Sequence, residues 1–318
     1  SLCRLMKRSV CSFFDLENAP LIVQPIALPE LKDHQVSLDV VRDDLFHPMI
    51  AGNKWWKLKH ALIHAEKEGI PRLVTFGGAY SNHILAVAAA GHLFGFETVG
   101  IIRGEESRKL NPVLSQARDW GMRLEGISRE SYRQKNNSDY LDQLKLDWSP
   151  CLILPEGGSS SFAVQGTSEM TRRIRGQYDY FCCSVGTGGT MAGMVLGATS
   201  NTEVQGFSAL KNGDFLVSEI HRLLKGYEVS DRHWSIQTEF HMGGYARSNA
   251  ALRSFCEHFQ ASQKLNLDLV YTGKMFFGIL ELVRRGFYKK GAKIAAWHTG
   301  NAHGEACARS GRYSLEKI

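Results

Sequence analysis

A chain of 318 residues has the length for about two domains and a large core. Its 43% hydrophobic and 22% charged residues are ordinary for a soluble globular protein, and its formal charge of +6 is scattered, with Lys289, Lys290 and Lys293 the densest cluster, which gives nucleic-acid binding no support. No apolar run is long enough to span a membrane, and seven cysteines, odd in number and without metal-ligand spacing, argue against a disulfide framework or a metal site and for a reducing, cytoplasmic compartment.

The basic start, Ser1 to Phe14, lacks an initiator Met and reads as a truncated start, an added segment or a targeting remnant. After it, strand-like and helix-like patterns alternate. Val36 to Val41 reads as a strand, and a turn containing Gly52 leads into a helix near Lys54. Leu73 to Phe76 is a strand ending in Gly77-Gly78, and Asn82 to Phe94 an Ala-rich helix. Thr98 to Ile102 is a strand, and Asn111 to Trp120 a helix opening on Asn-Pro. Arg129 to Ser149, polar and aromatic, is a helix or a loop. Cys151 to Leu154 and Tyr178 to Cys183 are strands, the second followed by a glycine loop and a helix from about Thr190 to Leu196. Val204 to Leu210 is a strand and Phe215 to Leu224 a helix; Ser248 to Leu265 and Met275 to Phe287 are helical; Lys293 to Trp297 is a final strand. This alternation predicts an α/β fold with largely parallel sheets and right-handed crossovers.

Several turns carry residues suited to chemistry. Lys54 stands in Gly52-Asn53-Lys54-Trp55-Trp56-Lys57 at a helix start, where the partial positive charge of the helix favours a free amine. A free amine is what condenses with a carbonyl cofactor such as pyridoxal phosphate. In Gly186-Thr187-Gly188-Gly189-Thr190 the glycines let N–H groups converge, two threonines add hydroxyls and the following helix adds its dipole, so a phosphate fits. A dinucleotide loop is the main rival, but its third glycine would fall on Met191. In Gly77-Gly78-Ala79-Tyr80-Ser81-Asn82-His83, Ser81, Asn82 and His83 fall at the carboxyl edge of a sheet, where ligands bind in open α/β folds. Ser81 equally reads as a helix cap, and His83 as a helix-start histidine. Tyr271, in Val270-Tyr271-Thr272-Gly273-Lys274, is either a buried aromatic or a proton relay. Thr299, in Trp297-His298-Thr299-Gly300-Asn301, either faces a ring nitrogen or belongs to an ordinary turn.

In this order the motifs, joined by Pro155-Glu156-Gly157-Gly158-Ser159, resemble the pyridoxal-phosphate family that holds 1-aminocyclopropane-1-carboxylate deaminase and D-cysteine desulfhydrase, over about Pro20 to Gly304. The resemblance implies a two-domain tryptophan-synthase-β-like fold (fold type II). Residues 1–54 and 163–318 would form the large cofactor-binding domain and residues 55–162 an inserted small domain. It implies that Lys54 carries the cofactor, that Asn82 bonds its phenolic oxygen, that Gly186, Thr187, Gly188, Gly189 and Thr190 hold its phosphate and that Thr299 lies with them. Ser81, Asn82 and His83 would meet the substrate carboxylate, and Tyr245 and Tyr271 would be the active-site tyrosines. The implied activity is α,β-elimination on a small amino acid by a homodimer without a metal: Lys54 removes the α-proton, Ser81 and Tyr271 assist, and a 2-oxo acid and ammonia result. Neutral Thr272, where the deaminase branch has Glu near the pyridine nitrogen, favours D-cysteine over 1-aminocyclopropane-1-carboxylate, because a weaker electron sink suffices to expel thiolate. Trp56, Tyr80, Leu85 and Asn301 depart from the family pattern; Trp56 and Tyr80 fall beside the cofactor and carboxylate positions. The remaining alternatives are the deaminase itself, a cofactor-binding protein without turnover and, more distantly, a nicotinamide oxidoreductase.

Overall fold

Short apolar runs ending in glycine turns build the strands, and Ala- and Leu-rich stretches build the helices that cover them. The computed structural model describes residues 9–13, 17, 18, 20–50, 52–104 and 111–300. In chain order the first elements are β1 (Val23–Pro25), α1 (Pro29–Asp33), β2 (Ser37–Val41), α2 (Asn53–Lys67), β3 (Arg72–Gly77), α3 (Asn82–Phe94) and β4 (Glu97–Arg103). Then come α4 (Pro112–Asp119), β5 (Arg123–Ile127), α5 (Arg129–Arg133), α6 (Ser138–Asp147), β6 (Cys151–Leu154) and α7 (Ser161–Arg172). The last are β7 (Tyr180–Val185), α8 (Gly189–Gly197), β8 (Glu203–Ser208), α9 (Phe215–Leu224), β9 (His233–Gln237), α10 (Ala250–Gln263), α11 (Thr272–Arg284) and β10 (Lys293–Trp297).

The chain divides into two compact units. The smaller includes Leu58–Ser160 and the larger includes Pro20–Lys57 and 161–300. The smaller unit has a four-stranded sheet in the order β5-β4-β3-β6, every pairing parallel. Val74, Phe76, Val99, Ile101, Tyr132 and Leu144 form a core cluster in it. The stretch 129–149 resolves into α5 and α6, with Ser128 and Asn137 capping the two starts. α3 is punctuated at both ends: Ser81 Oγ accepts from Ile84 N–H, and Gly95 closes the helix in a left-handed conformation.

The larger unit has a six-stranded sheet in the order β1-β2-β10-β7-β8-β9. Only β1 runs antiparallel to its neighbour. Its core joins Leu38, Val40, Phe207 and Ile294 on strands to Phe276 and Ile279 on α11. Strands buried on both faces read as continuous apolar runs, which is why β7 and β10 stand out in the sequence. β2, β10 and β7 are parallel neighbours, so their carboxyl ends fall side by side. Each is followed by a turn that carries chemistry-bearing residues.

Candidate active site

After β2 the chain turns at Gly52 and enters α2 at Asn53, so Lys54 lies in the first turn of that helix. Gly52 has φ +58°, and a Cβ there would sit 1.9 Å from the Thr299 carbonyl oxygen. No residue but glycine fits, and the close approach presses the turn after β10 against the start of α2. Asn53 binds α2 to the glycine loop: its Nδ2 donates to Thr190 Oγ1 at 2.8 Å, while its Oδ1 accepts from Lys54 Nζ at 3.1 Å. One turn further, buried Lys57 donates from Nζ to Thr187 Oγ1 at 3.4 Å.

After β7 the glycine loop leads into α8, whose start has no side-chain cap. The macrodipole and first-turn N–H groups there suit an anion. A Cβ on Gly186 would lie 3.1 Å from Tyr271 Cε1, so the Tyr271 ring forms one wall of the loop. Tyr245 packs edge-on against that ring, with centroids 6.0 Å apart. Lys54, Gly186 to Thr190, Tyr245, Tyr271 and Thr299 therefore share the larger unit, linked through Asn53, Lys57 and Gly52. Ser81, Asn82 and His83 belong to the smaller unit.

The electrostatics agree with a carbonyl-reactive amine beside an anion cradle. Burial pulls the Lys54 amine down to about 8, and the Asp268 carboxylate acts in the opposite direction. Burial, more than the helix end invoked from sequence, is thus the cause that makes a free amine accessible near neutral pH. Lys57 is likewise held well below its ordinary value, by burial first and by the Lys54 charge second. A phosphate at Thr187 would reverse that shift, because an anion restores the charged form of a nearby amine.

Several expectations change. The His83 ring is buried, hydrogen-bonded through Nε2 to Thr75 Oγ1 at 2.8 Å and packed where a Gly158 Cβ would be 2.9 Å away. It belongs to the interior of its unit, so only its backbone is suited to meeting a substrate carboxylate. Ser81 has spent its N–H on the Gly78 carbonyl at 3.0 Å, and its hydroxyl caps α3, leaving the hydroxyl proton as its one available donor. Thr272 is fully buried and its hydroxyl donates to the Asp268 carboxylate, so it is a first-turn residue of α11 rather than an open pocket wall.

Trp56 is also buried. Its Nε1 donates to Asp43 Oδ1 at 3.3 Å, and the Arg173 guanidinium lies 5.1 Å from its ring centroid. That departure is absorbed by packing inside the larger unit, as Leu85 is absorbed in α3. Tyr80, by contrast, is 72% exposed. Asn301, Cys3 and Cys307 lie outside the described residues. Among the described residues no group of three or more His, Cys, Asp or Glu is arranged to hold a metal ion. No helix among them is long and apolar enough to cross a membrane. Sequence reasoning passed over Lys57 and Asp268; the spacing of Lys54 and Lys57, three apart on one helical face, was the available signal for the first.

A parallel α/β sheet with a depressed lysine amine and an uncapped glycine loop at adjacent strand ends defines a carbonyl-cofactor enzyme with a phosphate anchor. Comparison with known proteins makes this specific: residues 17–300 match the family described as pyridoxal-phosphate dependent enzyme, and the chain belongs to that family. A Pyrococcus horikoshii protein provisionally named 1-aminocyclopropane-1-carboxylate deaminase is 27% identical over 292 residues, covering 87% of this chain and 88% of its own. An Arabidopsis thaliana protein named bifunctional D-cysteine desulfhydrase/1-aminocyclopropane-1-carboxylate deaminase, mitochondrial, is 27% identical over 316 residues, covering 92% of this chain and 78% of its own. The crystal structure of a 1-aminocyclopropane-1-carboxylate deaminase homologue superposes with a TM-score of 0.74 at 24% identity, covering 94% of this chain and 96% of that one. The fold is thus fold type II and the cofactor pyridoxal 5'-phosphate. The residues present fit it: a glycine loop whose side-chain space is filled by Tyr271, an uncapped helix start, a buried second lysine and an amine pulled down to about 8.

Proposed function

We propose that this enzyme is a lyase that removes the α-proton and a β-substituent from a small amino acid, with D-cysteine as substrate. With one water the products are pyruvate, hydrogen sulfide and ammonia. The observation that carries the reading is Lys54, an amine held by Asn53 beside the glycine loop and depressed to about 8.

Pyridoxal phosphate, when bound, supplies the electron sink that makes the α-hydrogen acidic. Lys57, the Thr187 and Thr190 hydroxyls and the start of α8 would hold its phosphate. Lys54 Nζ would be the attachment point and, as a neutral amine, would be the base that accepts the α-proton. Asn82 would take the cofactor's phenolic oxygen, while the Ser81 hydroxyl and the backbone at Asn82 and His83 would take the substrate carboxylate. Tyr271 and Tyr245 close one side of the cradle, where the Tyr271 hydroxyl would be proton donor to the departing group; Thr299 would face the ring nitrogen.

Thr272 supports D-cysteine, since no carboxylate occupies its position. Opening 1-aminocyclopropane-1-carboxylate to 2-oxobutyrate and ammonia is the second reading, favoured by the Asp268 carboxylate bonded directly to Thr272. A reducing, cytoplasmic setting is supported by the buried thiols of Cys182 and Cys183, which take part in no disulfide.

The test is pyruvate and sulfide release from D-cysteine by wild type and Lys54→Ala, the variant correcting for unaided reaction of cysteine with free cofactor. Lys54-dependent product is expected. Equal rates would sink the reading; product from 1-aminocyclopropane-1-carboxylate alone would install the second one. Bound cofactor with no product from any amino acid would make the protein a carrier.

A further inference from the structure

The start of α11 is capped from outside the helix. Tyr271 occupies the N-cap position, yet its side chain makes no capping bond and its ring is turned to the glycine loop. The capping work falls to Asp268, a buried carboxylate three residues upstream. Its Oδ1 accepts the N–H groups of Val270 and Tyr271 at 2.8 and 2.6 Å. Its Oδ2 accepts the N–H of Thr272 at 2.9 Å and the Thr272 hydroxyl. Its own N–H returns a bond to Thr272 Oγ1 at 3.0 Å, and its carbonyl accepts from Gly273 N–H at 2.8 Å. Asp268, through its side chain and its carbonyl, thus takes the N–H groups of Tyr271, Thr272 and Gly273 that a helix start leaves unpaired, a task normally given to the N-cap residue itself.

We propose that Asp268 is a positioning residue for the reaction: by capping α11 in place of Tyr271 it fixes the Tyr271 ring against the glycine loop. The proposal rests on Lys54 being the cofactor-bearing amine. A second lysine strengthens it. Buried Lys274, in the first turn of α11, donates from Nζ to the Gly244 carbonyl at 2.7 Å and so holds the loop that presents Tyr245. Asp268 opposes the effect of burial on both amines, keeping each nearer its charged form than burial alone would. Loss of the carboxylate would therefore loosen Tyr271 and lower the basicity of Lys54 together, a pairing that a plain helix cap does not produce.

The experiment uses the full chain as Asp268→Asn, Asp268→Glu and Thr272→Val. Reactivity of the Lys54 amine toward trinitrobenzenesulfonate is followed against pH in the cofactor-free protein by mass spectrometry, and kcat and KM for D-cysteine are measured in the loaded protein. Asp268→Asn is expected to move the Lys54 midpoint down by about half a pH unit or more, because an attracting charge is removed, and to lower kcat about tenfold with a smaller change in KM. Thr272→Val, which keeps the carboxylate, is expected to leave the midpoint where wild type has it. Asp268→Glu, which keeps the charge and misplaces the cap, is expected to retain the midpoint and lose kcat. If Asp268→Asn does not fold, the Glu variant decides: a wild-type midpoint with reduced kcat supports the proposal, and wild-type kcat overturns it. An unchanged midpoint in a folded Asp268→Asn protein also overturns it, leaving a structural cap. Borohydride trapping of cofactor on wild type keeps the two readings apart. A label away from Lys54 defeats the proposed function, whereas the amine titration tests Asp268 regardless.

Discussion

Asp43→Asn should make the protein more stable at alkaline pH and remove a pH dependence that wild type shows. Asp43 is buried on the turn after β2; Oδ1 accepts from Trp56 Nε1 at 3.3 Å, and Arg173 Nη1 stands 3.8 Å from it. Oδ2 is buried with no partner. Burial pushes the carboxyl from 3.8 up to about 7, outweighing the attraction of Arg173 and the bond from Trp56, with the repulsion of Asp44 adding to burial. The folded protein therefore binds the Asp43 proton more tightly than the unfolded chain does. Between the two pKa values stability falls as pH rises, and above about 7 the loss is complete. At 1.36 kcal/mol per pKa unit the full penalty is on the order of 4 kcal/mol, and the part lying between pH 5 and pH 8 is about 3 kcal/mol. Asparagine keeps the acceptor for Trp56 and carries no charge to bury. Urea unfolding followed by tryptophan emission, at pH 5 and pH 8, should show the variant gaining about 3 kcal/mol on wild type across that interval. Parallel stabilities at the two pH values would refute the burial argument, as would a variant that loses ground at pH 8.

Three shorter expectations concern the cradle. Lys57→Met removes a charge-assisted donor from the phosphate site, a loss of about 1.5–3 kcal/mol, and should weaken cofactor binding about 10- to 100-fold in a fluorescence titration of the cofactor-free protein; unchanged affinity would take Lys57 out of the site. Gly52→Ala forces a Cβ into the Thr299 carbonyl at φ +58° and should cost about 3 kcal/mol of stability, read as a drop in melting temperature with loss of bound cofactor. Tyr271→Phe preserves the wall beside Gly186 and removes its hydroxyl. If that hydroxyl is the proton donor, kcat falls with KM nearly constant; a preserved kcat would reduce Tyr271 to packing.

Local pattern alone made much of this protein legible. The elements Asn82–Phe94, Cys151–Leu154, Phe215–Leu224 and Lys293–Trp297 have the bounds their periodicity and turn residues imply, because caps and glycine turns act within a few residues of the chain. Lys54 at a helix start and a glycine loop after a buried strand are likewise local facts. Three of the four edge strands were not legible: β1, β5 and β9 are half-exposed, Arg123–Ile127 breaks its alternation at Gly126, and the polar–apolar alternation of His233–Gln237 lasts only five residues. Side-chain direction needed the tertiary structure for the same reason. The inward turn of His83 depends on Thr75 and Gly158, the burial of Trp56 on Asp43 and Arg173, and the capping of α11 on a carboxylate outside the helix. The sequence by itself determined which backbone turns can hold a phosphate and which lysine begins a helix. Only the folded chain decided how far burial lowers that lysine, because desolvation is set by neighbours more than 100 residues apart along the chain, as Asn53 and Thr190 are, with 137 residues between their numbers.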